Sequence, residues 1–453
     1  MNLTLANRVI WDGIFRLRSE ALWVFIGQTG TALGGLFGVK ILTHVLSPLE
    51  FGRLALANTV VLLIGVNLFG PLGQGFMRFW SISRDRGETK DFVFIAKHYT
   101  RFAIRIILCI GLILAIFSLL AQEMDWTVLL SISLIVGTLT GWFGVRISIL
   151  MAARKRKIVA LVNTGNAFVK PMIAASAVIF LMPKAVLAML GHLMTACVIA
   201  YIVEYFYRKT VIDDLRFSSP SIDEAKQNGE LGREILGFSW PFFVWGIFGW
   251  IHQSCDRWAL QAYHGADVVG AFSVITLLAV YPLIFSASFL SSLFIPIAYE
   301  RAGNLNSCTS IKSANQILYV MTGSYIIGAC ILIILFAFFH DVVVLLISNV
   351  KYVRFSYLLP GLTSAWAFFY LGQMLSGFGL LANKPRKYIF PILVSGMIAA
   401  ITTFYLSAKS GPVGVVWGLS IAGFVYALWF MIIAFRLSNS ISKSDQYIMA
   451  HER

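Results

Sequence analysis

The chain has 453 residues, of which 58% are hydrophobic and only 13% are charged. Its mean hydropathy is +0.80, and apolar stretches of about 20 residues recur along the whole chain, which is typical of membrane-spanning helices. This composition excludes a soluble globular domain, in which about a quarter of the residues are charged, and it predicts an all-α polytopic membrane protein.

Twelve membrane-spanning helices are predicted, in two lobes of six. A cytoplasmic lead-in covers residues 1–21, the N-terminal lobe covers 22–207, and a polar cytoplasmic linker follows at 208–233. The C-terminal lobe covers 234–436 and a cytoplasmic tail covers 437–453. The predicted spans are 22–46, 53–78, 101–121, 126–152, 158–181, 185–207, 234–262, 267–297, 316–340, 355–382, 387–408 and 412–436.

One apolar run does not fit this series. Residues 340–350 (HDVVVLLISNV) are too few to span a bilayer and too apolar for a free loop. We therefore expect this run to lie at the membrane interface or to re-enter the membrane.

The basic residues fall mainly in alternate loops. Lys and Arg in the loops on the side of the N-terminus outnumber those on the other side about fivefold. Because basic loops stay in the cytoplasm, we predict that both termini are cytoplasmic. The net charge of +15 then reflects topology and contact with anionic membrane lipids, and no nucleic-acid partner is expected.

Two sequence correspondences suggest that the lobes are repeats. In KILTHVLSPLEFGRLALA, Lys40 precedes Gly52 by 12 residues, and in RWALQAYHGADVVGAFSVI, Arg257 precedes Gly270 by 13. A second pair, ILMAARKRKIVALVNTG and GLLANKPRKYIFPILVSG, joins a helix end, a short basic hinge and a helix start. Many transporters are built from such repeats, with the substrate site between them.

Taken together, VLSPLEFGRLALANTVVLL, the MAARKRKIVALVN hinge, the DRWALQAYHGADVVGAFSV repeat and the twelve-helix count resemble the polysaccharide flippases of the multidrug/oligosaccharidyl-lipid/polysaccharide exporter superfamily. The resemblance covers nearly the whole chain. It implies an inverted-V pair of six-helix lobes in a bacterial inner membrane, working by alternating access. It also implies a polyprenyl-diphosphate-linked glycan as substrate, O-antigen or lipopolysaccharide biosynthesis as the pathway, and other polysaccharide-assembly proteins as partners.

Charged residues inside the spans are the candidate site residues, because a charge at the centre of a membrane helix costs about 2.5–3.5 kcal/mol. Lys170 lies near the middle of the fifth span, on one helical face with Asn163 and Asn166, and Pro171 follows it. A polar stripe that ends in a cation favours a water-filled lumen. A lysine that only pairs with a neighbour is the alternative.

Further cations are weaker candidates for the same substrate site. Arg146 has Trp142 one turn away, Arg257 has Gln253 one turn away, and Arg78 follows Gln74 on a stripe of the second span. Trp250, on the face of Arg257, is a candidate for stacking on sugars. Lys40 is placed at the outer mouth of the cavity. For each cation, reaching the membrane interface is the alternative to lining the lumen.

Asp256 is the one aspartate well inside a predicted span, and it shares a helical face with His252. A carboxylate near an imidazole is a candidate for coupling to H⁺ or Na⁺. A structural ion pair, for example with Lys40, is the alternative. No cofactor is expected, and the five scattered cysteines show neither metal-ligand spacing nor a disulfide framework.

The predicted lumen is cationic, which favours an anionic substrate such as a polyprenyl diphosphate or an acidic glycan. A multidrug and toxin extrusion antiporter is the main alternative, although a cationic lumen opposes organic cations. A lipid II flippase would need two additional helices. An enzyme is not expected, because the outer loops are short and neither GxxxxGK[ST] nor HExxH occurs.

Overall fold

A computed structural model describes residues 3–121, 124–215, 224–302, 308–382 and 384–451, and these residues contain helices and turns but no strand. The first half of the chain begins with α1 and α2, which a short turn joins, and α2 continues through a π-helical turn into α3. Its elements are α1 Leu3–Val45, α2 Pro48–Ile64, the π-helical turn Gly65–Phe69, α3 Gly70–Asp85, α4 Thr89–Ala121, α5 Met124–Ala152, α6 Arg156–Phe180 and α7 Ala185–Leu215.

The second half contains longer helices that bend back on themselves. Its elements are α8 Glu224–Ala302, α9 Cys308–Ile347, α10 Val350–Val353, a 3₁₀ turn Ser356–Leu358, α11 Leu359–Leu381, a 3₁₀ turn Pro385–Tyr388 and α12 Ile389–His451. Gly265 breaks α8 with a φ of 79°, and Gly411 breaks α12 with a φ of 59°. Glycine adopts this left-handed conformation without strain. We call the parts before and after each break α8a and α8b, and α12a and α12b.

The described helices agree with the predicted number of spans. Eight helical stretches are long and apolar enough to cross a membrane, and two of them, of 71 and 53 residues, contain Gly265 and Gly411. Counting α2 and α3 as one helix, and including α4 and α11, the described residues form twelve bilayer-length segments. The protein is therefore an all-α, multi-pass membrane protein of two six-helix lobes. The lead-in and tail continue α1 and α12, and residues 216–223 of the predicted linker lie outside the described residues.

Close helix packing within the N-terminal lobe depends on a glycine stripe of α1. A Cβ atom on Gly27, Gly30 or Gly34 would lie within 3.0 Å of Ala160, Thr164 or Ala167 of α6, and Gly38 faces Pro171. Small residues at helical spacing let two backbones approach closely inside a membrane. This stripe fixes the face that α6 turns toward α1.

The lobes meet where α2 and α3 pack against α8. Gly52 of α2 and Gly270 of α8b, which the sequence repeats pair, lie against each other: a Cβ on Gly270 would be 2.9 Å from the Gly52 nitrogen. The two predicted repeats therefore touch at equivalent positions. We use "outer" for the end of the bundle that holds this crossing and "inner" for the end that holds the basic loops.

The apolar run at 340–350 is helical as far as Ile347. It continues α9 beyond a bend at Phe339, where φ is −122° and ψ is 18°, and the helix ends at Ile347. Its last carbonyl groups contact the N-terminal lobe through Lys40, as described below.

Candidate substrate-binding site

Three cavities follow one another between the lobes. The outer cavity has a volume of about 530 Å³, the central cavity about 410 Å³ and the inner cavity about 950 Å³. The central and inner cavities share Val66, Trp245 and Gln373 in their walls, so they are contiguous. The outer cavity shares no wall residue with them.

The outer cavity brings together four of the predicted site residues. Asn163, Asn166 and Lys170 of α6 line it, and Arg257 of α8a reaches it from the other lobe. The α6 residues share a face because they lie at helical spacing, and the glycines of α1 leave room in front of them. Other polar residues of the wall, which sequence analysis did not select, are Thr31, Asn58, Thr59, His192, Ser273 and Tyr281.

The outer cavity is cationic. Among the described residues, the Lys170 ammonium has no hydrogen-bond or ion-pair partner, although the side chain is enclosed. Arg257 donates to the Gln253 carbonyl oxygen at 2.8 Å and lies 3.5 Å from Asp256 Oδ1. No carboxylate is among the described residues that line this cavity. Lys170 therefore carries an uncompensated charge toward the cavity.

His192 is the clearest residue that sequence analysis missed. It is buried on α7, lines the outer cavity, and its Nδ1 atom has no partner among the described residues. Its position as an imidazole in the middle of an apolar span could have identified it as a candidate from the sequence.

Arg146 lies elsewhere, between α5 and α7 within the N-terminal lobe. Its Nε atom donates to Glu204 Oε2, and its guanidinium lies 3.5 Å from the Trp142 ring centroid and 5.2 Å from that of Tyr207. Neither Arg146 nor Trp142 lines any of the three cavities. The structure thus pairs Arg146 with Glu204 inside the lobe and does not place it in these cavity walls, and its substrate role stays a prediction.

Lys40 also has a structural partner. Its ammonium donates to the carbonyl oxygens of Leu346, at 2.8 Å, and Ser348, at 3.2 Å, at the C-terminal end of α9. It is not in the wall of the outer cavity, whereas its neighbour Val39 is. A cation at a helix C-terminus stabilises the unpaired carbonyl groups there. Lys40 therefore joins the lobes instead of lining the cavity mouth, and Asp256 pairs with Arg257 and not with Lys40.

The inner cavity carries the densest positive charge. Gln74 and Arg78, the two candidates on the stripe of the second span, are in its wall, and Arg78 lies 4.5 Å from the Phe238 ring centroid. Lys384, Arg386 and Lys387 line the same cavity from the turn before α12. In the sequence these three residues form a basic hinge, a pattern that does not reveal their position in a cavity wall. No carboxylate is among the described residues of this wall.

The central cavity is uncharged. Its wall contains Gln253, Gln373, Ser288, Ser291 and Tyr370 together with apolar residues, among them Trp245 and Phe369. Gln253 was predicted as a site residue, and it lies here, one turn from Arg257 and the outer cavity.

Thr59, in the wall of the outer cavity, accepts two hydrogen bonds from the other lobe. Trp250 Nε1 donates to its carbonyl oxygen at 2.8 Å, and Trp258 Nε1 donates to its hydroxyl at 3.1 Å. Both indoles belong to α8a, so these bonds tie the two lobes together at this level. Trp250, predicted to stack on sugars, has its polar atom bound to Thr59.

Asp256 and His252 are buried on α8a, and neither is in the wall of the three cavities. The Asp256 side chain is fully buried, and its Oδ2 atom has no partner among the described residues. His252 stacks on Phe369 with ring centroids 4.6 Å apart. Among the described residues, no group of three or more His, Cys, Asp or Glu side chains is arranged to hold a metal ion.

Comparisons with solved structures place the fold. The chain is similar to the lipid II flippase MurJ in an inward closed conformation, with 12% identity, a TM-score of 0.67, and 95% of this chain and 93% of that chain covered. It is also similar to the inward-facing conformation of a multidrug resistance MATE family transporter of the MOP superfamily, with 17% identity, a TM-score of 0.58, and 93% and 95% covered. An outward-facing conformation of such a transporter gives 17% identity, a TM-score of 0.59, and 93% and 96% covered.

At these identities the likeness concerns the fold alone. The similar scores for the inward-facing and outward-facing structures do not distinguish between the two states. No curated protein matches the sequence. Residues 17–300, more than half of the chain, match the family described as polysaccharide biosynthesis protein, and the chain belongs to that family.

Proposed function

We propose that this protein is a flippase that moves an undecaprenyl-diphosphate-linked oligosaccharide from the inner to the outer leaflet of a bacterial inner membrane. The observation that carries the proposal is the charge of the cavities: the outer and inner walls contain cations but no carboxylate among their described residues. A diphosphate is the part of such a substrate that these walls would attract. Membership of a polysaccharide biosynthesis family supports a glycan as the remainder.

The cations suggest an order of binding. Arg78, Lys384, Arg386 and Lys387 would take up the diphosphate at the inner, cytoplasmic end, where Arg and Lys side chains bind phosphate oxygens strongly. Lys170 and Arg257 would hold it in the outer cavity after the lobes have moved. The Thr59 bonds with Trp250 and Trp258, which join the lobes at the outer cavity, would break and reform as access alternates. The substrate is moved without covalent change.

An antiporter for organic cations is the alternative. Its substrate would have to pass the outer and inner cavities, whose described walls contain cations and no carboxylate, and the Lys170 ammonium has no partner among the described residues. A like charge in the wall repels a cationic substrate. The shared fold does not favour the antiporter, because one fold hosts several functions.

Asp256 remains our candidate for coupling to H⁺ or Na⁺, together with His252. Burying a carboxylate with one unpartnered oxygen costs free energy, and a role in transport would explain why the chain carries it. Asp256 also lies next to Arg257 of the outer cavity. We expect Asp256→Asn to flatten the pH or Na⁺ dependence of transport in proteoliposomes. An unchanged dependence on both ions would remove Asp256 from the mechanism.

The test compares Lys170→Met with Arg146→Ala. Flipping of a fluorescent short-chain prenyl diphosphate disaccharide is measured in proteoliposomes, together with the melting temperature of the purified protein. We expect Lys170→Met to lower flipping at least about tenfold with little loss of stability, because charge-assisted hydrogen bonds contribute about 1.5–3 kcal/mol.

Arg146→Ala should do the reverse. It leaves Glu204 without one buried partner, so stability should fall, while flipping per folded molecule should change little. Lys351→Met, at an exposed lysine of the outer end, is the matched control for loss of one positive charge. Normal flipping by Lys170→Met would overturn the cationic-site proposal.

A further inference from the structure

The central cavity differs from its two neighbours in chemistry. Its described wall contains no charged side chain, whereas cations line the cavities on both sides. It is also contiguous with the inner cavity through Val66, Trp245 and Gln373. A molecule whose diphosphate lies against the inner basic residues would therefore extend its next chemical group into an uncharged chamber.

The wall of this chamber offers hydrogen-bonding groups of both kinds. The Gln253 amide nitrogen donates to the Gly249 carbonyl oxygen at 3.1 Å, and the Gln373 amide nitrogen donates to the Tyr426 hydroxyl oxygen at 2.8 Å. Their amide oxygens face no protein donor among the described residues, so they can accept. Ser288 and Ser291 present hydroxyl groups that both donate and accept.

Flat apolar surfaces complete the wall. Trp245 is held by Phe430, with ring centroids 6.1 Å apart and the rings nearly perpendicular, and Tyr370 of α11 is in the same wall. Phe369 is buried and stacks on His252, so it supports the wall and offers little ring surface itself. Fixed aromatic rings with a few polar groups are typical of sites for small uncharged ligands with hydroxyl groups. The volume of about 410 Å³ is that of a single small-molecule site, not of a long chain.

We propose that the central cavity is a subsite for the uncharged sugar attached directly to the diphosphate, a hexose or an N-acetylhexosamine. This inference rests on the proposed function and specifies the substrate class. A uronic acid at this position is disfavoured, because a carboxylate buried without a cation or donor cluster is costly. Acidic sugars further along the glycan are not restricted by this cavity.

The experiment measures binding of three probes to the full-length protein in nanodiscs. The first is a short-chain prenyl diphosphate, the second carries one N-acetylhexosamine on that diphosphate, and the third carries one hexuronic acid. We expect the N-acetylhexosamine to raise affinity at least about tenfold over the bare diphosphate, as two net hydrogen bonds would. The hexuronic acid should give no gain.

Substitutions of wall residues distinguish binding at this subsite from binding at the cationic cavities. Gln253→Leu combined with Ser291→Ala should remove most of the gain from the sugar and leave affinity for the bare diphosphate unchanged. Ser286→Ala is the matched control, because the Ser286 hydroxyl donates to the Pro282 carbonyl oxygen of its own helix and is not in the wall. Lys384→Gln combined with Arg386→Gln should weaken binding of all three probes equally.

The outcomes distinguish the two proposals. Equal affinity of the wild-type protein for bare and glycosylated probes, a gain from the hexuronic acid as large as that from the neutral sugar, or a gain that survives Gln253→Leu with Ser291→Ala would overturn the sugar subsite alone. Failure of the wild-type protein to bind any of the diphosphates would overturn the proposed function itself.

Discussion

The two ends of the interface between the lobes are held by different kinds of contact. At the outer end, the backbones of α2 and α8b touch at Gly52 and Gly270, and a Cβ on Gly52 would lie only 1.8 Å from a backbone oxygen. At the inner end, side chains of α3 and α8a pack in one buried cluster that includes Phe76 and Ile235, and an ion pair of 3.1 Å joins Arg86, directly after α3, to Glu234 of α8a, with side chains 48% and 45% exposed. Backbone packing excludes water and depends on shape, whereas an exposed ion pair contributes about 0–1 kcal/mol.

This difference indicates at which end the two lobes can separate with the smaller cost in free energy. The inner end surrounds the largest of the three cavities, and its helices meet there through side chains, which can repack as the lobes move. The outer end must separate two packed backbones before the outer cavity can release its content. We therefore expect perturbations of the outer end to shift the conformational equilibrium more than perturbations of the inner end.

Gly52→Ala should have the largest effect. The added methyl group has no space, so α2 and α8b must move apart at a cost of about 1–3 kcal/mol. We expect a lower melting temperature and faster labelling of Leu277→Cys, a position in the outer cavity, by a membrane-impermeant maleimide. The labelling requires a background in which the native cysteines are replaced.

Gly144→Ala is the control for this substitution, because no heavy atom lies within 4 Å of a Cβ built there. It should leave stability and labelling nearly unchanged. Equal behaviour of the two variants would show that the glycine crossing does not hold the outer end closed.

The helices and the α6 stripe could be predicted from sequence because they depend on local patterns. Apolar runs of sufficient length predicted the spans, and helical spacing placed Asn163, Asn166 and Lys170 on one face. The π-helical turn at Gly65–Phe69 has no such pattern in the sequence. The repeat correspondence also paired the two glycines of the outer crossing.

The contacts of the other cations could not be predicted, because their partners are far away in the sequence. Glu204 is 58 residues from Arg146, and the Leu346 carbonyl is 306 residues from Lys40. A helical wheel gives the face of a residue but not the helix that this face meets. The basic hinge before α12 already had an explanation in topology, which concealed its second role as a cavity wall.

Lys40→Met should have an intermediate effect on the outer end. It removes two charge-assisted hydrogen bonds from the C-terminal end of α9, so we expect a loss of stability of about 1–2 kcal/mol. Labelling of Leu277→Cys should rise less than in Gly52→Ala. Lys40→Arg should restore most of the stability, since it keeps a donor at this point, and Lys351→Met should have no effect. A fully stable Lys40→Met variant would contradict the capping role of this lysine.

Arg86→Ala should have the smallest effect, since its partner Glu234 is half exposed and solvent screens the pair. We expect the free energy of unfolding to fall by at most about 0.5 kcal/mol. A double-mutant cycle with Glu234→Ala isolates the interaction from the second contact of Arg86, a carboxylate oxygen of Glu88 at 3.9 Å. The coupling energy should vanish at about 1 M salt, where the screening length is about 3 Å. A coupling energy above about 1.5 kcal/mol that survives high salt would mean that electrostatics holds the inner end as firmly as packing holds the outer end, because a pair screened by water cannot contribute that much.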